Sequence, residues 1–158
     1  HEVVGAKMTK KILQNLKYDK KTIKNVASLV ELHLRPHTFK MGWTDSAVRR
    51  YIVDAGEVLE DLNNLVRADV TTKNKQKAQE IFEKLDEMET RIKEVLEKEE
   101  MSKLRPPISG DEIMSLFDLE PGPKVGVIMK ALYEQRINEG EVSKEEAIKL
   151  AKETFDNL

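Results

Sequence analysis

From Ala78 to Leu96 apolar residues recur every three or four positions, at Ala78, Ile81, Phe82, Leu85, Met88, Ile92, Val95 and Leu96. Nearly everything between them is charged or polar. An α-helix turns once in about 3.6 residues, so this spacing gathers the apolar side chains into a narrow stripe on a charged rod. A strand would need strict alternation, which no stretch of the chain supplies. Aromatic residues make up 5% and charged residues 35% of the 158 residues, a balance that argues for exposed helices and against a sandwich or barrel. The expected fold is all-α, a bundle of about seven to eight helices.

The rest of the chain divides by the same logic. Val3, Val4, Met8, Ile12, Leu13 and Leu16 have helical spacing. Asp19 reads as the N-cap of a second helix with Ile23, Val26, Ala27, Leu29, Val30, Leu32 and Leu34 on its apolar face. Pro36 breaks the pattern, because the residue before a proline avoids helical angles. Thr44 opens a third helix, and Asp54-Ala-Gly56 reads as a stop and restart before a fourth that ends near Asp69. Arg105-Pro-Pro is a joint. Ser109 with Glu112, and Ser143 with Glu146, have the spacing of capping boxes. Pro123 suits a first helical position, and Gly140 a helix end. The expected organisation is a helical body over 1–73, a long connecting helix over 74–104 and a small helical tail over 105–158.

Charge is unevenly spread. Residues 1–50 hold 11 Lys/Arg against 4 Asp/Glu, residues 51–100 hold 8 against 14, and residues 101–158 hold 8 against 11. The basic first third suits a polyanion, although solvated lysine faces give the same count. No cysteine is present, which removes disulfides and thiolate metal sites. No stretch has the length of a membrane span or the pattern of a signal peptide. There is no nucleophile motif and no phosphate-binding Gly-rich loop, so catalysis by these residues themselves is not expected. The chain opens on His1 within a helical pattern and is expected to be a piece of a longer protein.

Three segments suit nucleic acid. Trp43 to Arg50 sets adjacent Arg49 and Arg50 on a helix behind an indole. Arg67, Thr71, Thr72, Lys73 and Lys75 mix hydroxyls and cations at a helix entrance, where free N–H groups favour phosphate. Gly122 and Lys124 lie in a helix–turn–helix stretch resembling helix–hairpin–helix phosphate sites. Ordinary N-caps, solvated lysines and a stiff connector account for the same residues. Among potential metal ligands, His33 and Asp69 lie where a bundle could bring them together, with His1 as a third. A core histidine bonded to a backbone carbonyl is the competing reading for His33.

Read together, six blocks resemble a known family. They are His1-Glu-Val-Val-Gly-Ala-Lys-Met8, Leu29-Val-Glu-Leu-His-Leu-Arg35, Trp43-Thr-Asp-Ser-Ala-Val-Arg-Arg50, Arg67-Ala-Asp-Val-Thr-Thr-Lys-Asn74, Arg105-Pro-Pro-Ile-Ser-Gly-Asp-Glu-Ile-Met114 and Pro121-Gly-Pro-Lys-Val-Gly126. In this order they are similar to the C-terminal part of bacterial, actinobacterial-type CCA-adding tRNA nucleotidyltransferases of the poly(A) polymerase-like family. The resemblance implies a parent enzyme that adds C, C and A to the tRNA 3′ end from CTP and ATP with Mg2+. It implies that a catalytic head and a base-selecting neck precede this chain. The residues here would then form the cytoplasmic, membrane-free body and tail that hold the acceptor and T arms of tRNA, recognising duplex RNA by shape and phosphate. Such proteins also carry an HD-like helical domain. Its later metal positions would be matched by His1, His33 and Asp69, with the His-Asp doublet before residue 1, so tight metal binding by the fragment alone is not expected. A fragment of an HD-type phosphohydrolase and a purely structural helical arm are the alternatives.

Overall fold

The computed structural model describes residues 2–99 and 105–158. Among them are eight α-helices and no strand: α1 (Glu2–Asn15), α2 (Lys20–Leu32), α3 (Asp45–Ala55), α4 (Leu59–Ala68), α5 (Lys75–Glu99), α6 (Gly110–Phe117), α7 (Pro123–Glu139) and α8 (Lys144–Asp156). Short 3-10 segments occupy Arg35–Met41 and Gly56–Val58. The expected all-α architecture is the one observed. The chain forms two compact units, one from residues 1–44 and 50–93, the other from residues 45–49 and 94–158.

In the first unit α1 and α2 form an antiparallel hairpin. Lys17 takes the left-handed conformation at φ 59°, and the Tyr18 N–H reaches back to the Leu13 carbonyl at 3.1 Å, closing α1 in the manner of a Schellman motif. Asp19 then caps α2 by accepting from the Thr22 N–H at 3.0 Å. The two helices approach through small residues. Ala6 and Ala27 are buried, and a methyl group placed on Gly5 would sit 3.3 Å from a Val30 methyl. Val3, Val4, Met8, Ile12 and Leu16 are all more than half exposed, because the close crossing at Gly5 and Ala6 puts another face of α1 against α2.

Gly56, at φ 52°, supplies the left-handed residue that ends α3, and α4 restarts after one 3-10 turn with Val58 buried. Along α5 the stripe read from the sequence is where the burial lies: Leu85, Met88, Ile92 and Val95 are buried, and Met88 is fully enclosed.

The second unit has its own apolar centre of Ile108, Ile113, Ile128, Leu132, Ala147 and Ala151. Phe117 and Phe155 stack beside it with ring centroids 4.7 Å apart. Both expected capping boxes form. The Glu112 and Glu146 N–H groups each donate to the cap serine hydroxyl at 3.2 Å. The Ser109 and Ser143 N–H groups donate to the glutamate carboxylates at 2.8 and 3.0 Å. Pro123 opens α7, and Gly140 at φ 83° closes it.

Candidate nucleic-acid interface

The cations singled out from the sequence meet different fates. Arg49 is buried, and its guanidinium donates to the Ile137 carbonyl at 2.6 Å and the Asn138 carbonyl at 3.1 Å. Those carbonyls belong to the last turn of α7, which lacks helical donors for them, so the arginine serves as a cap supplied from a distant part of the chain. Arg50, the next residue, is half-buried.

Arg67, near the end of α4, reaches across to α5. Its Nε donates to Glu89 at 2.8 Å, and its Nη2 donates to Asp86. The hydrogen bond it donates to Glu89, then that to Asp86, hold the guanidinium proton more firmly than usual. A polar cluster continues inward. The buried Tyr51 hydroxyl donates to Asn63 at 3.1 Å, and burial pushes its ionisation well above the ordinary range, with the Glu89 charge adding to the effect and Arg35 opposing it. Tyr51 is therefore a neutral donor at any physiological pH. Trp43 packs edge-on to Phe39 and tilted on Tyr51, with centroids 5.6 and 5.2 Å apart, and its indole N–H donates to Thr38. Arg35, 19 residues before it in the chain, pairs with Asp54 of α3.

The segment between α4 and α5 is the most open of the three. Thr71, Lys73, Asn74 and Lys75 are exposed, and Thr72 is half-buried. The Thr72 hydroxyl accepts from the Asn74 N–H at 3.3 Å, and the Asn74 side chain accepts from the Lys77 N–H at 3.1 Å, capping α5. Lys77 and Lys84 line a concave surface on the first turns of α5, but Glu80 and Glu83 share it. The favourable charge for phosphate is thus concentrated at the entrance of the helix, at Lys73 and Lys75. In the second unit Gly122 and Lys124 are exposed at the start of α7, and no side chain caps that helix end.

Two of the three potential metal ligands lie among the described residues. His33 ends α2 with its Nδ1 2.7 Å from the Val30 carbonyl, so that nitrogen is the protonated donor and faces backbone. Asp69 is exposed at the end of α4. His1 lies outside the described residues. Among the described residues no group of three His, Cys, Asp or Glu is placed to hold a metal ion. No helix among them is long and apolar enough to cross a membrane.

Sequence reading missed the intramolecular use of both arginines. For Arg67 a signal existed, since Asp86 and Glu89 lie three apart on one face of α5. For Arg49 none existed, because its partners are backbone carbonyls.

Comparison with known proteins adds independent findings. Residues 3–151 match the family model described as tRNA nucleotidyltransferase domain 2. The chain is 35% identical over 138 residues to an A-adding tRNA nucleotidyltransferase of Deinococcus radiodurans, covering 86% of this chain and 30% of that protein. It is also 35% identical over 149 residues to a CC-adding tRNA nucleotidyltransferase of Thermus thermophilus, covering 93% of this chain and 31% of that protein. The chain therefore spans about a third of the length of these relatives. No solved structure matches it significantly.

Proposed function

The chain belongs to the tRNA nucleotidyltransferase domain 2 family, and from that premise we propose that it is the helical RNA-holding part of an enzyme that adds all or part of the CCA end to tRNA. The observation that carries this reading is the family match over residues 3–151, almost the whole chain. The nucleotide-transferring centre, with the Mg2+, CTP and ATP it uses, belongs to the parent protein outside these residues. Their own share is to hold the acceptor and T arms, in the cytoplasm, by contacts to phosphate.

The contact residues proposed for the first unit are Lys73 and Lys75, with the Thr71 hydroxyl and the free N–H groups at the start of α5. Those for the second unit are Lys124 and the Gly122 backbone at the uncapped start of α7. Arg49 and Arg67 act within the fold instead. Release of condensed cations from RNA then makes binding salt-dependent.

The test is fluorescence anisotropy of a labelled acceptor–T-arm minihelix across a salt series. Affinity is expected to fall as salt rises. Changing Lys73→Glu and Lys75→Glu should weaken binding and flatten the logarithmic salt slope by about one for each lysine. An absence of binding at low salt, with the protein folded, would refute the RNA-holding role.

A further inference from the structure

The outer side of α1 carries Val4, Met8, Ile12 and Leu16, each four residues from the next. They are 60%, 59%, 54% and 63% exposed. Isolated exposed apolar side chains are ordinary, but a contiguous row marks a surface that something covers. The row is not needed to hold α1 in place. The helix already meets α2 through another face, where Ala6 is buried and Gly5, Thr9 and Leu13 are half-buried. At about 1.5 Å per residue the row runs for about 18 Å, the length of three turns of a partner helix.

We infer that this row is the seat of another part of the same longer polypeptide, an amphipathic helix whose apolar side chains lie on Val4, Met8, Ile12 and Leu16 and whose acidic residues face Lys7 and Lys11. The inference rests on the reading that the chain is one part of a longer nucleotidyltransferase. Its occupant is chosen by two observations. Lys7 and Lys11 are exposed beside the row, so pairing α1 with a second α1 sets like charges together, and an acidic partner is favoured. Aliphatic side chains offer no flat face on which RNA bases stack, so RNA leaves the row uncovered. The relatives supply the candidate polypeptide, since about 70% of their length lies outside the part this chain matches.

Peroxide oxidation of the methionines, followed peptide by peptide by mass spectrometry in the full-length parent, tests the inference. Thioether oxidation follows exposure. Met88, fully buried here, is the slow control, and half-buried Met114 and Met129 set the intermediate rate. With the row covered, Met8 oxidises no faster than Met114 and Met129 in the parent, and at least about fivefold more slowly than in residues 1–158. Met8→Glu with Ile12→Glu should lower the thermal unfolding midpoint of the parent and leave that of residues 1–158 unchanged. Rapid oxidation of Met8 in the parent overturns the inference. Protection that appears only as protein concentration rises assigns the row to a second copy, and protection that appears only with the minihelix assigns it to RNA; either result overturns it. Nucleotide incorporation into tRNA is read separately on the same parent, so a failure of the functional reading is distinguishable from a failure of the seat.

Discussion

At the scale of single residues, a cation's position in sequence says little about whether it meets solvent. Arg49 and Lys73 both lie in basic stretches, yet Arg49 is buried on the carbonyls of Ile137 and Asn138 while Lys73 is exposed. Arg49→Ala leaves those carbonyls without their donors, and it should lower unfolding stability by about 2–3 kcal/mol, measured by urea titration. Arg49→Lys should restore only part of this, because an ammonium lacks the planar fork that reaches two acceptors. Neither change should alter the salt slope of RNA binding. Arg67 is 30% exposed at its side chain, and Asp86 is 67% exposed. Solvent screens that pair, but Glu89 is only 27% exposed, so Arg67→Ala should cost about 1–3 kcal/mol, mostly through the Glu89 bond.

At the scale of helices, local chemistry decides most of what is seen. Glu112 is held below the usual carboxylate range first by the hydrogen bond from Lys144 and then by the Ser109 N–H. Glu146 is lowered by the Ser143 hydroxyl and then its N–H. Carboxylates depressed in the folded state contribute stability above their unfolded pKa, about 4.3, and lose it as pH falls through the lower folded value. Acid titration of unfolding, followed by circular dichroism, should therefore show a decline below about pH 4 that is smaller in Glu112→Gln with Glu146→Gln than in the wild type. Ser109→Ala and Ser143→Ala should each cost about 1 kcal/mol. These caps, the glycine stops at Gly56 and Gly140, and the stripe of α5 were legible in the sequence because each is fixed by residues within a few positions. The orientation of α1 was not. Its largest apolar residues suggest one face, but the close approach permitted by Gly5 and Ala6 selects another. Of the candidate site, the polar segment before α5 was legible as a helix entrance, whereas the internal use of Arg49 and Arg67 depended on partners 88 and 22 residues away.

For the whole molecule, the two relatives carry a message about specificity. One is named for adding A and the other for adding CC, and this chain is 35% identical to each. Under the proposed function, these residues hold an RNA shape common to both reactions and leave the choice of base elsewhere in the parent. Exchanging residues 3–151 of the parent for the matching stretch of either relative should leave the added nucleotides unchanged, as read by sequencing the extended tRNA ends. Trp43 carries a different consequence. It is the single tryptophan of the chain, and it packs on Phe39 and Tyr51 inside the first unit. Its emission therefore acts as a resident optical reporter of the packing around Phe39 and Tyr51. Unfolding followed at that emission reads the loss of this packing, beside the far-ultraviolet ellipticity that reads all the helices, without any label.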